Sequence, residues 1–389
     1  MSGTFNRAAR AGALLGALAV WSPDLHADGR WLITTIDSAG TAGKWPSIAV
    51  DGKGCPHIAY CASTVTGLVL RYASLEGGDW PIEVAATSND VTKLSLALDA
   101  SDRPQVAYKY GSVGLAIAHR EGDTWTSELV DPGDYNGRQA SLALDPQGQP
   151  HISYNDSSVD DLRYAYRDGE SWHLETVESA GRTGLRGSIA VDAAGKAHIG
   201  FYNDSLVQVR YAHREATGWS VETVAAPAAI PAMTLDNLDR PHFIYQSVGG
   251  NNPLVYAWYD GSSWQSELVP GLYDTEWHNI CVDSAGRPHI AFWDYYWDNL
   301  MYATRDPEGW RVETVDSAGR VGEYASMALD SDGIPHIAYY DSTNTALKYA
   351  TVPEPAAFGL LGLGSLGLIR RRAAAAAAKA ARPSRLRIK

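Results

Sequence analysis

Between residues 30 and 352 the apolar positions come in short runs that alternate with polar ones, and no stretch keeps a helical period. Ser141-Leu142-Ala143-Leu144-Asp145 alternates with period two. Pro146-Gln147-Gly148-Gln149-Pro150 follows, a turn sequence in which Gly tolerates positive φ and Pro ends the pairing. His151-Ile152-Ser153-Tyr154, Leu162-Arg163-Tyr164-Ala165 and Trp172-His173-Leu174-Glu175-Thr176-Val177 read as three more strands, with Asp168-Gly169 turning between the last two.

This four-strand unit recurs. A tryptophan opens each copy, at Trp31, Trp80, Trp125, Trp172, Trp219, Trp264 and Trp310, with spacings of 45 to 49 residues. The best copies read W-x-x-E-T-V, S-x-A-L-D, P-H-I-A-Y and L-x-Y-A. Four short strands repeated seven times predict an all-β, seven-bladed β-propeller with four-stranded blades. If S-x-A-L-D is innermost and the Trp strand outermost, the chain begins on an outer strand, near Trp31 to Ile36. It ends on the third strand of the last blade, Leu347 to Ala350. The N-terminal strand is therefore expected to complete the last blade and close the ring, which removes an open sheet edge.

Residues repeated around a ring are expected to be structural, because one substrate touches one place. His57, His151, His198, His242, His289 and His336 share one position, taken by Gln105 in the second copy. Asp51, Asp99, Asp145, Asp192, Asp236, Asp283 and Asp330 share another, and Glu83, Glu128, Glu175, Glu222, Glu267 and Glu313 a third. A Gln in the His position indicates hydrogen bonding rather than titration. Cys281 stands where other inner strands have Ala or Thr and is read as a small buried residue. Cys55 and Cys61 flank one strand about 20 Å apart, too far for a disulfide. No cysteine spacing suits a metal. The Asp/Asn-rich turn at Asn155, Asp156, Asp160 and Asp161 lacks the spacing of a calcium loop. No metal or cofactor is expected.

The two ends differ from the body. Arg7 and Arg10 precede an apolar run from Ala11 to Trp21, then Pro23 and Ala27. This has the form of a secretory signal peptide over residues 1–27, and the run is too short for a membrane span of about 20 residues. At the other end Pro353-Glu354-Pro355 precedes an apolar, Gly-rich run, Ala356 to Ile369, and then Arg370-Arg371-Arg372. The order closely resembles the PEP-CTERM sorting signal of Gram-negative bacteria, although a basic tail continues to Lys389. The resemblance implies an exosortase-type processing partner and transient membrane insertion of residues 353–389. It also implies export across the inner membrane to the cell envelope or extracellular matrix. Arginines beyond the apolar run would hold that end in the cytoplasm.

With the ends set aside, residues 28–352 carry 22 basic and 43 acidic side chains. So acidic a body repels phosphate backbones, which argues against a nucleic-acid partner. Aromatics are skewed, with 13 Trp and 21 Tyr against 5 Phe, a balance that suits half-buried strands and sugar-like ligands.

Function is expected where the repeats differ. Residues just before each inner strand should ring the channel mouth: Lys44 and Trp45, Lys93, Arg138 and Gln139, Arg186, Glu276, Trp277 and His278, and Glu323 and Tyr324. A second candidate surface is Tyr295, Tyr296 and Trp297, aromatics in a turn that elsewhere reads Asn155-Asp156-Ser157. The repeats resemble uncharacterised bacterial propellers with a D-x-x-G-x-P-H-I-x-Y hairpin, here Asp330 to Tyr339 and Asp283 to Phe292. They are distantly similar to seven-bladed lectins and propeller polysaccharide lyases, and lack the S-x-D-x-G-x-x-W box of sialidases. Three readings stay open: a non-catalytic binding protein with a carbohydrate ligand; a polysaccharide-cleaving enzyme using His278, Arg186 and Tyr324 as base, cation and proton donor; and a purely structural matrix protein.

Overall fold

The computed structural model describes residues 24–25 and 30–353, apart from 66, 89–90, 92 and 134–135. The expected signal peptide and sorting tail therefore fall almost wholly outside the described residues. The rest is seven four-stranded antiparallel sheets in sequence order, with no helix among the described residues. The third blade, for example, runs Arg138–Leu144, Pro150–Asp156, Asp161–Asp168 and Ser171–Glu178 from the axis outwards. The ring closes as expected: Leu32–Asp37 pairs with Ala346–Thr351 in the seventh blade, with Thr34 opposite Tyr349. A two-residue strand, Asp24–Leu25, adds to that blade's outer edge.

The repeated polar residues hold the blades' shape. Each of the seven aspartates turns its hairpin; Asp145 Oδ1, for instance, accepts from the Gln147 and Gln149 backbone N–H at 2.9 and 2.8 Å. The histidine on the next strand lies between this aspartate and a tyrosine. His151 Nδ1 is 2.5 Å from the Tyr164 hydroxyl, and its Nε2 is 3.7 Å from Asp145. The same His–Tyr pair recurs in five further blades, at His57–Tyr72, His198–Tyr211, His242–Tyr256, His289–Tyr302 and His336–Tyr349. The second blade has Gln105 for the histidine and Ile117 for the tyrosine, and there the Gln105 amide donates instead to the Gly148 carbonyl of the third blade.

These tyrosines also join neighbouring blades. Five of the six pack edge-on against the outer-strand tryptophan of the following blade, as Tyr164 does on Trp219 with ring centroids 5.0 Å apart, and Tyr349 lies tilted on Trp80. The outer rim adds charge-assisted bonds: Glu83, Glu175 and Glu267 each accept from the next blade's tryptophan indole and from an arginine beside it. Nearer the axis a belt of hydrogen bonds runs round the channel. The backbone N–H of Leu96 donates to Ser47 Oγ of the preceding blade, that of Leu142 to Ser95, Ile189 to Ser141, Met233 to Ser188, Met327 to Asn279 Oδ1 and Ile48 to Ser326. Ala232, which has no acceptor, stands in the remaining position.

The belt and rim tie the blades; the histidines make the fold sensitive to acid. Burial lowers the pKa of all six, outweighing the opposing pull of the aspartates. A base with a depressed folded pKa takes up its proton more readily when unfolded, so stability falls as pH drops below about 6.5. Denaturant midpoints should therefore decline from pH 7.5 to 5.5, and His151→Gln, which copies the second blade, should reduce the slope. A midpoint constant over that range would contradict the assignment.

Candidate functional site

At the head of each inner strand the backbone kinks into the left-handed region at one residue: Trp45, Lys93, Gln139, Arg186, Ile230, Trp277 and Tyr324, with φ between 44° and 59°. In six blades the pairing register with the second strand shifts across this point, as between Glu276 and Asn279. Such a bulge re-aims a side chain, and glycine is its least costly occupant. None of the seven is glycine, and the conformation costs an L-residue roughly 1–2 kcal/mol. A β-branched residue such as Ile230 is a rare occupant. The backbone device is thus repeated seven times while its side chains differ.

The kinked residues and the two that follow each line one cavity of about 250 Å³ at the channel mouth. Its centre is aromatic. Trp277 lies against Tyr324 with centroids 4.4 Å apart, and Tyr324 lies 5.4 Å from Trp45. Two cations approach Trp277 from other blades: the Arg186 guanidinium stands 5.5 Å and the Lys93 ammonium 5.9 Å from its ring centroid. Among the described residues neither cation has a carboxylate partner. Burial, and then the Arg186 charge, push Lys93 down to about 8. Burial also raises the Tyr324 hydroxyl above its usual value.

His278 lines the same cavity with both ring nitrogens engaged. Nδ1 lies 3.3 Å from the Ile230 carbonyl and Nε2 2.7 Å from Thr275 Oγ1. The arrangement fits a neutral ring that donates from Nδ1 and accepts the Thr275 hydroxyl proton at Nε2. Burial, with the Arg186 charge adding to it, lowers its pKa to about 4. A ring so committed holds the kinked Ile230 strand in place and has no nitrogen free for a substrate proton.

Of the residues singled out in the sequence, Trp45, Lys93, Gln139, Arg186, Trp277, His278 and Tyr324 meet at the mouth, and Lys44, Glu276 and Glu323 do not line it. Arg138 does not: it is exposed, and its neighbour Gln139 takes the kink. Counting back two residues from the first position of S-x-A-L-D finds Gln139, and the same count finds Ile230, which an eye on polar groups passes over. Tyr295, Tyr296 and Trp297 are 62, 80 and 69% exposed, in the turn between Pro288–Asp294 and Asn299–Asp306, outside the cavity. Trp293 is buried beneath them, with Arg320 stacked 5.0 Å from its ring. The Cys281 thiol donates to the Met327 carbonyl at 3.3 Å, and burial pushes it up to about 12, so it is a packing residue rather than a nucleophile. Among the described residues no three His, Cys, Asp or Glu side chains gather as a metal site.

Residues 351–373 match the PEP-CTERM protein-sorting motif. The chain thus carries a sorting signal of exported, envelope-targeted proteins. Two solved structures share the propeller fold at a TM-score of 0.50. AofleA from Arthrobotrys oligospora is 12% identical, covering 74% of this chain and 90% of that one. Aleuria aurantia lectin, described as a six-bladed β-propeller with a novel fucose recognition mode, is 15% identical, covering 71% of this chain and 96% of that one. At these identities the likeness is one of fold, and this ring has one blade more than the six of the Aleuria lectin. No curated protein matches the chain.

The depressed Lys93 has a direct chemical consequence. At pH 8 about half of an amine with that pKa is unprotonated, against well under a hundredth for an ordinary lysine. A small amine-acylating reagent at pH 8 is expected to modify Lys93 ahead of the exposed Lys53 and Lys196, as read by peptide mass spectrometry. Slower reaction at Lys93 than at those two would contradict the mouth environment described.

Proposed function

We propose that this chain is an exported, non-catalytic carbohydrate-binding propeller with one ligand site, the channel mouth. It would act at the envelope or in the extracellular matrix of a Gram-negative bacterium. An exosortase-type enzyme would process the tail during its transient membrane insertion. The observation that carries this reading is an asymmetric set of side chains on a symmetric ring of strained kinks. Strain retained in all seven blades directs the side chains, and five of the seven are aromatic or cationic. An indole face and a phenol suit the apolar face and the hydroxyls of a sugar ring. At about 250 Å³ the cavity suits a single sugar unit, since sites for drug-sized ligands begin at roughly 300 Å³. The described binding of fucose by the Aleuria lectin supports a sugar ligand on this type of fold.

The polysaccharide-cleaving alternative needs His278 as a base, and its two occupied nitrogens favour a positioning role. The outer Trp–Glu–Arg clusters are repeated between blades, but their glutamates are already bonded on both sides, which favours a tying role there.

The test is a glycan-panel assay that records binding and released fragments together. Trp277→Ala should weaken binding by tenfold or more, about 1.4 kcal/mol, and Tyr296→Ala should leave it unchanged. Loss with Tyr296→Ala alone would move the site to the exposed turn. Fragment release abolished by His278→Ala would make the protein an enzyme, and a blank panel would leave the structural reading.

A further inference from the structure

Nothing above specifies which sugar the mouth takes, and its charge distribution speaks to that. The body is strongly acidic, with 43 Asp and Glu against 22 Lys and Arg over residues 28–352. Most of its arginines are spoken for. Arg71, Arg120, Arg167, Arg210, Arg214, Arg240, Arg287 and Arg305 each lie within 3.3 Å of a carboxylate oxygen. Lys93 and Arg186 are exceptions, and they are two cations from blades two positions apart brought together over one indole. The Arg186 charge disfavours protonation of Lys93 and of His278 alike.

Holding two like charges together in a partly buried site costs stability, and the ordinary remedy is a carboxylate between them. The chain supplies acids elsewhere round the mouth but not there. Glu323 lies beside Tyr324 and is taken up by Arg320 and by the Ser342 hydroxyl at 2.6 Å. Glu276 precedes Trp277 in the strand, its charge acts on the Tyr324 hydroxyl, and it is not among the residues lining the cavity. The cavity thus has an aromatic wall, a belt of serine side chains as its floor, and a positive corner that lacks an anion.

We infer that the sugar unit seated in the mouth carries an oxyanion, a carboxylate or a sulfate ester, which lies between Lys93 and Arg186 while the ring stacks on Trp277. This rests on the binding reading above and narrows it to acidic saccharides. Arg186 supplies a planar fork that matches the two oxygens of either group, and Lys93 a point charge beside it. The serine hydroxyls of the belt accept from backbone N–H groups and keep their own hydrogens to donate, so they can meet sugar hydroxyls. An acidic protein that admits an acidic sugar only at this corner also rejects it elsewhere by like-charge repulsion, which confines binding to one orientation.

The experiment measures binding of the intact protein to three matched probes: an oligogalacturonate, a neutral galactan oligomer of the same length, and a sulfated galactan oligomer. The inference expects at least one acidic probe to bind tenfold or more tighter than the neutral one, with affinity falling as salt rises. Arg186→Gln and Lys93→Gln should each remove that advantage and the salt dependence with it, and neither should lower the thermal midpoint, because each relieves the repulsion between the two cations. Which acidic probe is preferred separates carboxylate from sulfate. Equal binding of neutral and acidic probes, lost with Trp277→Ala, would overturn the anion while leaving the carbohydrate site intact. Binding of none of them would overturn both.

Discussion

The structure turns on the hydrogen bond by which one blade's inner strand grips the next. A serine or asparagine oxygen on each of six inner strands accepts a backbone N–H from the following blade, and at the seventh junction, where Ala232 has no acceptor, His278 reaches the Ile230 carbonyl instead. This bond fixes how far apart neighbouring inner strands stand and at what angle. The acceptor sits two residues beyond the left-handed kink, so the same bond also fixes where each kinked side chain enters the mouth. With the strands so spaced, an aromatic at one kink meets cations from two other blades. Outside the belt, the tyrosine–tryptophan edge contacts and the outer glutamates set the wedge shape that lets seven sheets close.

The second blade shows which of these parts are structural. It has Gln105 and Ile117 in place of the histidine and the tyrosine. The blade remains in place because its aspartate hairpin and its belt serine are intact. A pair that can be deleted as a pair is a fastening. The kinks behave in the opposite way: the backbone conformation never lapses and the side chain never settles.

Much of this was readable in the chain. The tryptophan period and the D-x-x-G-x-P-H hairpin give the blade count and the strand order, and the offset of the first tryptophan gives the closure. What was not readable lies between strands. The serine of S-x-A-L-D is plain as a repeat, but its partner is on another blade some 47 residues away. A positive φ spread over Trp, Lys, Gln, Arg, Ile and Tyr leaves no compositional mark, so the sequence does not tell Gln139 from its neighbour Arg138 and gives no sign of Ile230. His278 looked like a free base because its partners, the Ile230 carbonyl and the Thr275 hydroxyl, appear only when blades five and six are brought together.

The central claim is that a sevenfold scaffold presents one site. Titration calorimetry with a saccharide that binds the protein reads this directly as stoichiometry. One ligand per chain is the result the account predicts, since all seven kinked residues converge on one cavity. Several ligands per chain would contradict it, and would move recognition to the repeated Trp–Glu–Arg clusters between the blades.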